Sequence, residues 1–293
     1  MLFIPVTLAA VVFQVARNAM QRSLLPAAGP WGATLVRFLF GLPFALVFAI
    51  AAAVAAGHVS LHLTGRFWLY AASGSVTQVV ATAALLEAMR RAGFAIGTAM
   101  QQSSLPLSAL IGWAVFRDHL AAVTWAGVGV TTVGLAVLSW PRQVDGKRPL
   151  SGAGFGLASG LCFGFSLNAY RHAVLALDAA HPLFAAVATV TITQAMQSLA
   201  LIVYLAWRHP WSLRAVVTGW RRSLTAGFCG AVASGAWLFA LALAPAASVR
   251  AVGIVEAPAA AAVGRRLFKE RLTAVQWLAA LTTAVGVAMT ALA

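Results

Sequence analysis

Apolar segments of about 20 residues alternate with short polar connections along nearly the whole chain. A membrane-spanning helix needs about 20 consecutive, mainly apolar residues. The longest connections, 141–150 and 208–222, are too short to form a soluble domain, so function is expected within the membrane. The pattern predicts ten spanning helices, over residues 3–25, 31–56, 67–89, 94–116, 120–140, 152–175, 182–207, 220–244, 246–267 and 272–292.

Composition favours a membrane protein over a soluble one. The 293 residues are 61% hydrophobic and 9% charged, whereas soluble domains are about 25% charged. The charge is strongly basic, with 20 Lys and Arg against 6 Asp and Glu. The basic residues lie singly or in pairs between apolar segments and form no stripe of the kind that binds nucleic acid. No nucleic-acid partner is therefore expected.

The basic residues are divided unevenly between the connections. Most follow spans 1, 3, 5, 7 and 9, whereas the other connections carry only Arg66, Arg117 and Arg171. Cytoplasmic loops of membrane proteins are enriched in Lys and Arg. The distribution therefore predicts that both chain termini face away from the cytoplasm.

The two halves of the sequence are similar to each other. "FRDHLAAVTW" at 116–125 matches "FKERLTAVQW" at 268–277. Such internal similarity is typical of repeat architectures. The same offset pairs Pro106 with Pro258 and Gly134 with Gly286, and Asn18 corresponds to Asn168 at a slightly different offset.

This similarity predicts a first repeat over 1–140, a linker loop over 141–150 and a second repeat over 151–293. Each repeat contains five predicted spans. Because five is odd, the second repeat should enter the membrane in the opposite orientation. Inverted repeats of this kind are common in secondary transporters.

The repeated motif resembles that of a known family. Each copy has phenylalanine, a basic residue, an acidic residue, any residue and leucine, followed by a glycine-containing helix. "LVRFLFGLP" also places Arg37 where the second helix of the EamA repeat has an arginine. The first copy has Asp118 where glutamate is usual, and the second has Glu270. The chain thus resembles EamA-type transporters of the drug/metabolite transporter superfamily over essentially all ten spans.

This resemblance implies an all-α membrane protein with ten transmembrane helices, arranged as two inverted five-helix repeats around a central cavity. It also implies a location in the bacterial inner membrane. Family members export amino acids, sugars, drugs and other metabolites, so the resemblance does not single out a substrate. The sequence has no Walker or dinucleotide motif and no metal-ligand spacing. We therefore expect a transporter and not an enzyme, with no cofactor or metal.

Polar residues recur at helical spacing within several spans. In span 1, Gln14, Arg17, Asn18 and Gln21 share one face, and we interpret this stripe as the lining of a watery cavity. Two alternatives stay open, because membrane amides can bond helices together and arginines can extend to lipid headgroups. The candidate substrate-binding residues are Gln14, Arg17, Asn18, Arg37, Gln78, Gln101, Gln102, Asn168, Gln194, Trp237 and Arg250. Trp237 could equally be a packed core residue.

Glu256 lies deep in span 9. An ionised carboxylate there needs water or a partner, so Glu256 is predicted to carry protons for coupling or to contact a substrate ammonium. An ion pair with an arginine from another span is the alternative. Glu87, close to Arg90 and Arg91 in sequence, is predicted to form a local ion pair instead.

Two prolines are predicted to shape the spans on either side of the cavity. Pro106 and Pro258 should kink spans 4 and 9, because proline removes a backbone donor and crowds the preceding turn. Both helices would then be candidate gates.

The leading functional hypothesis is a secondary active transporter, and by resemblance an exporter, that works by alternating access of two inverted repeats. Arginines within the spans favour an amino acid or another carboxylate-bearing solute, because guanidinium groups bind carboxylates in bidentate fashion. One alternative is export of a cationic drug or quaternary amine by way of Glu256. Another is a lipid-handling or sensory membrane protein without solute flux. The expected partners are a small-molecule substrate, protons and membrane lipids, and the protein is expected to act as a monomer or homodimer.

Overall fold

The computed structural model describes residues 2–104, 106–107, 110–111, 113, 122–139, 149–244, 249, 252–253, 255–269 and 273–292. All regular secondary structure within these residues is helical. The helices are α1 (Phe3–Leu39), α2 (Leu42–Ala56), α3 (Gly65–Ala92), α4 (Phe94–Gln101), α5 (Ala122–Ser139), α6 (Pro149–Leu177), α7 (Pro182–Arg208), α8 (Pro210–Thr218), α9 (Trp220–Leu243), α10 (Glu256–Phe268) and α11 (Ala274–Leu292).

Four stretches of the described chain are long and apolar enough to cross a membrane. They are Phe3–Ala56, which comprises α1 and α2, and the helices α3, α7 and α9. Many large apolar side chains on these helices point away from the protein, and those of Val54, Leu69 and Leu199 are more than 60% exposed. Contiguous apolar surface of this kind is rare in soluble monomers, and it agrees with lipid as the surrounding solvent.

The predicted connection between spans 1 and 2 is a single-residue break. α1 continues through residues 26–30 and departs from helical geometry only at Gly29, where φ is 66° and ψ is 177°. Glycine adopts this left-handed backbone without steric cost. Across the break, the Gln21 side chain donates a hydrogen bond from Nε2 to the Ala33 carbonyl oxygen at 2.7 Å. A second break follows at Phe40 and Gly41, so the predicted span 31–56 consists of two helical pieces.

Residues 208–222 are expected from the sequence to form only a connecting loop, and this prediction is wrong, because the middle of the segment is helical. This segment contains α8, in which Pro210 occupies the first helical position, a site where proline costs no backbone hydrogen bond. Ser212 and Val216 are four residues apart, hence on one face, and both are buried. The Ser212 hydroxyl donates to the Ala28 carbonyl oxygen at 2.5 Å. The helix therefore lies against α1.

The helices form two compact units, one comprising Met1–Val79 and Ser166–Ala246, the other Val80–Phe165 and Ala247–Ala293. Each unit contains a segment from each predicted repeat, and α3 and α6 contribute to both. The first unit has apolar clusters around Phe67 and Phe184 and around Phe38 and Leu201. The second has a smaller cluster that includes Met100.

Close helix packing in the second unit depends on glycines. Gly152, Gly156 and Gly160 recur every four residues on α6, and a Cβ on any of them would collide with Ala92, Met100 or Ser103 respectively. This series is a small-residue packing stripe.

The contact between α5 and α11, also in the second unit, is reciprocal. A Cβ at Gly134 would lie 2.5 Å from Thr283 Oγ1, and a Cβ at Gly286 would lie 2.5 Å from Thr131 Oγ1. Both threonine hydroxyls donate at 2.8 Å to the carbonyl oxygen four residues earlier in their own helix. Elements related by a two-fold axis make reciprocal contacts, in which residue i of one contacts residue j of the other and the reverse. Here the glycines match each other in the sequence repeat, and so do the threonines.

Candidate functional site

In the first unit, two buried arginines lie against the same glycine. Arg17 belongs to the part of α1 before Gly29 and Arg37 to the part after it, and their exposed fractions are 1% and 3%. A Cβ at Gly230 of α9 would lie 3.3 Å from Arg37 Cγ and 3.4 Å from Arg17 Cδ. The bare glycine backbone thus allows both side chains to approach α9, and the two arginines are brought together inside the protein.

Short polar side chains hold these guanidinium groups. Arg17 donates from Nε and NH2 to Asn18 Oδ1 at 3.2 and 2.7 Å. Arg37 donates from NH2 to Ser234 Oγ at 3.2 Å, and Ser234 lies one turn beyond Gly230 on α9. Sequence analysis does not find Ser234, because a serine in a Gly- and Ala-rich helix is most simply a packing residue.

Gln14 and Trp237 bond to each other. Trp237 Nε1 donates to Gln14 Oε1 at 2.9 Å, and both side chains are buried. A buried indole whose N–H has a protein acceptor is satisfied in place. This geometry favours the interpretation of Trp237 as a packed core residue that positions Gln14.

A second polar group in this unit centres on Tyr170. Gln197 Nε2 donates to Gln78 Oε1 at 2.8 Å and to the Tyr170 hydroxyl at 3.0 Å. The Tyr170 hydroxyl donates to Gln78 Oε1 at 3.0 Å, and its ring packs where a Cβ at Gly74 would collide. Sequence analysis finds Gln78 but not Tyr170. The half-buried Asn168, two residues earlier, has a backbone carbonyl in contact with the His172 ring at 2.9 Å.

Gln194 is a buried amide on α7. Its exposed fraction is 2%, and neither Oε1 nor Nε2 has a hydrogen-bond partner within the described part of the chain. Its Oε1 faces the break between α1 and α2, where a Cβ at Gly41 would lie 3.0 Å away. Buried polar atoms are almost always hydrogen-bonded, so this amide is a candidate contact for a ligand or for water.

In the second unit, the predicted residues Gln102 and Glu256 contact each other. Glu256 is fully buried and is the first residue of α10, where the helix dipole favours a carboxylate. Gln102 donates from Nε2 to its Oε2 at 3.0 Å. The neighbouring Gln101 is buried as well, and its Oε1 has no partner among the residues described.

The two prolines lie close to interruptions in helical geometry. α4 ends at Gln101, and the N–H groups of Gln102 and Ser103 bond to carbonyls three residues earlier. Residues 104, 106 and 107 are helical again, so Pro106 lies just after this break. Pro258 is the third residue of α10. A proline in the first turn sacrifices no helical hydrogen bond, so α10 accommodates Pro258 there, and the kinks predicted at Pro106 and Pro258 stay predictions. Arg250 lies outside the described residues.

The remaining acidic residues of interest have structural partners. Glu87 accepts hydrogen bonds from Arg90 and Arg91, which confirms the predicted local ion pair. Asp178, which sequence analysis does not single out, lies between α6 and α7. Its carboxylate accepts from the backbone N–H groups of Ser60, Ala180 and His181. These bonds, with the Ser60 N–H first, lower the pKa of Asp178 to about 2.

Comparison with known proteins supports the fold and no more. No family model matches the chain. No curated protein matches it either. Among solved structures 23 chains match. One of them, described only as "Crystal structure of protein", has a TM-score of 0.60 and 18% identity, over 98% of this chain and 94% of its own. This likeness is one of fold and extends along nearly the full length of both chains.

Proposed function

We propose that the protein is a secondary active transporter that moves a small carboxylate-bearing solute, foremost an amino acid, by alternating access of two inverted repeats. The observation that carries this proposal is the buried pair Arg17 and Arg37 on Gly230. Charged groups within membrane helices are costly and commonly mark substrate or ion pathways. Neither arginine extends to the surface, so lipid headgroups do not explain them.

The chemistry of this pair suits an anionic group. A guanidinium is planar, stays protonated and offers parallel N–H donors that match a carboxylate. The acceptors that Asn18 and Ser234 present to the two groups are uncharged, so neither of them neutralises a guanidinium. A carboxylate entering beside them would gain charge-assisted hydrogen bonds, and this preference is the basis for the proposed substrate class.

Unsatisfied amides in the same unit add to this argument. Gln194 offers a donor and an acceptor, and Asn18 Nδ2 is also buried without a partner among the described residues. Such atoms need a ligand or ordered water. An amino acid presents both an anionic acceptor and an ammonium donor, so it could satisfy groups of both kinds.

The repeat architecture and the location belong to the same proposal. The reciprocal contacts of Gly134 with Thr283 and Gly286 with Thr131 support a two-fold relation between the repeats. We extend this relation to inverted five-helix repeats of the drug/metabolite transporter type and to export across a bacterial inner membrane. The loop arginines favour an orientation with both termini outside the cytoplasm.

The proposal can be tested with purified protein in proteoliposomes, using radiolabelled amino acids, other carboxylates and quaternary amines. We expect flux of a carboxylate-bearing solute that is lost in Arg37→Leu while the protein stays folded. Arg66→Leu removes an equal charge from an exposed position and should transport like the wild type.

Two other outcomes would contradict the proposal, and each would indicate a different function. Flux of quaternary amines that depends on Glu256 and not on Arg37 would indicate cation export, which the complete burial of Glu256 also allows. An absence of flux for every solute class, with folded protein, would favour a lipid-handling or sensory role.

A further inference from the structure

One end of the first unit carries exposed arginines and tryptophans around α8. We call this surface the basic–tryptophan face. It comprises the end of α7, the outer side of α8 and the start of α9. Its residues are Trp207, Arg208, Trp211, Arg214, Trp220, Arg221 and Arg222, all of them exposed.

The face is held in place by the inner side of α8. Ser212 and Val216 are buried against α1, and the Trp211 ring reaches the break at Gly29, where a Cβ would lie 3.2 Å from it. With this side docked, Arg214 points outward. α8 is thus a short amphipathic helix fixed at the end of two apolar helices, α7 and α9.

Two arginines of this face lie over tryptophan rings. The Arg208 guanidinium carbon lies 4.3 Å from the centre of the Trp207 ring, and that of Arg221 lies 5.4 Å from the Trp220 ring. These cation–π contacts orient the guanidinium groups without consuming their N–H donors. The donors stay available to an anion.

The charge of the face has no acidic complement nearby in sequence, since residues 179–255 contain neither Asp nor Glu. Arg221 and Arg222 lie in the first turn of α9. Cations are unfavourable there, because the N-terminal end of a helix carries partial positive charge. Helix stability therefore does not account for these two arginines, whereas binding of an external anion would account for them.

We propose that the basic–tryptophan face binds the headgroups of anionic phospholipids. Tryptophan is enriched at the level of the headgroups, and basic amphipathic helices lie in that layer. Arginine clusters beside membrane spans attract anionic lipids and bind phosphate oxygens in bidentate fashion. This site is independent of the proposed solute and of transport itself.

The test is thermal unfolding of the full-length protein in detergent, titrated with phosphatidylglycerol. A lipid that binds only the folded protein raises its unfolding temperature, so the half-saturating lipid concentration can be measured. Phosphatidylcholine and inorganic phosphate are the comparison ligands. We expect stabilisation by phosphatidylglycerol alone, weakened as salt is raised.

Two adjacent arginine pairs give a matched comparison. Arg221→Gln with Arg222→Gln should raise the half-saturating concentration on the order of twentyfold, at about fivefold per arginine. Arg265→Gln with Arg266→Gln removes the same charge from exposed positions on α10 and should leave it near the wild-type value. Arg221→Lys with Arg222→Lys keeps the charge and should retain most of the binding.

Several results would overturn the proposal. Equal loss in the α10 pair would show a general effect of charge, and equal stabilisation by phosphatidylcholine would show an effect of any lipid. Stabilisation by inorganic phosphate alone would indicate an ion site. If the Arg221 and Arg222 variant fails to fold, the wild-type titration decides, because a response insensitive to salt contradicts binding by charge.

Discussion

At the scale of single residues, Gln194 allows a test of whether a buried amide serves ligand binding or helix packing. A buried polar group without a partner costs about 1–3 kcal/mol, and both polar atoms of Gln194 lack one within the described chain. Gln197, one turn later on the same helix, bonds to Gln78 and Tyr170. The Gln197 amide nitrogen is therefore bonded to protein partners, whereas the Gln194 amide nitrogen is not within the described residues.

We expect Gln194→Leu to leave the free energy of unfolding unchanged or to raise it by about 1 kcal/mol, because the change removes an unsatisfied amide of similar volume. Transport should nevertheless fall at least tenfold, mainly through a higher KM. Gln197→Leu should instead lower the free energy of unfolding by about 1–2 kcal/mol. Unfolding in detergent and flux in proteoliposomes measure the two effects. A destabilised Gln194→Leu that transports normally would make Gln194 structural.

Sequence periodicity predicts polar residues well when several of them recur on one face of a helix. Gln14, Arg17 and Asn18 form such a stripe in the sequence, and all three are buried polar residues. Tyr170 and Ser234 belong to no such stripe, and only their contacts with Gln197 and Arg37 single them out. Hydroxyl groups in apolar helices often serve packing alone, so no local pattern could have singled them out.

At the scale of elements, the Asp178 carboxylate links the connection after α2 to the connection before α7 by hydrogen bonds. Asp178 accepts the Ser60 N–H from the connection after α2 and the N–H groups of Ala180 and His181 just before α7. The His181 ring adds a contact at 2.9 Å. Because a carboxylate with several donors is stabilised in its charged form, this fastening depends on pH.

Asp178→Ala should lower the free energy of unfolding by about 2 kcal/mol at neutral pH, since it leaves backbone donors unpaired. The folded-state pKa of about 2 lies below the ordinary value of 3.8. The stabilisation is therefore complete above about pH 4 and is lost as the pH falls through 2. Unfolding curves of wild type and variant should converge over that range. A constant difference down to pH 2 would contradict the role of the carboxylate charge.

The reciprocal glycines of α5 and α11 make a second element-level prediction. Gly134→Ala and Gly286→Ala should each lower the free energy of unfolding by about 1–3 kcal/mol, because each added methyl meets backbone and threonine atoms of the other helix. Gly129→Ala on α5 meets no atom within 4 Å and should stabilise by about 0.5–1 kcal/mol. Thermal unfolding of the three variants is the measurement, and similar effects at all three positions would refute close packing as the cause.

Hydropathy predicts where apolar helices lie, but not where they break. Span-length patterns place α3, α7 and α9 within a few residues. The break at Gly29 and the short α8 depend on each other, because α8 packs against Ala28 and Trp211 lies over Gly29. A nine-residue helix with one buried side and a single arginine is too short to register as a membrane span in a 20-residue window.

At the scale of the whole molecule, residues that match between the two halves of the sequence also lie in contact with the other half. The residues that match between the halves, Gly134 with Gly286 and Thr131 with Thr283, contact each other in exchanged pairs. Compact units nevertheless combine segments of both halves. A chain built from two repeats that exchange segments would show both features, and the inverted arrangement of the repeats stays a prediction.

Coupling of transport to protons would depend on one carboxylate in such a chain. Glu256 is buried at the start of α10, and Gln102 donates a hydrogen bond to it. A group that binds and releases a proton during transport makes flux depend on pH and on the proton gradient. Gln102 can bond to either protonation state, since its amide can donate or accept.

We therefore expect Glu256→Gln to fold and to bind substrate, but to lose proton-driven flux and its dependence on pH. Glu87→Gln is the matched control, because Glu87 is bonded to Arg90 and Arg91 and has no proposed part in transport. Substrate-induced thermal stabilisation measures binding, and proteoliposome flux between about pH 5 and 8 measures coupling. Glutamine keeps the shape of glutamate and one accepting oxygen, resembles the protonated acid and cannot titrate. Normal transport by Glu256→Gln across that range would make Glu256 a structural residue and would remove proton coupling from the proposal.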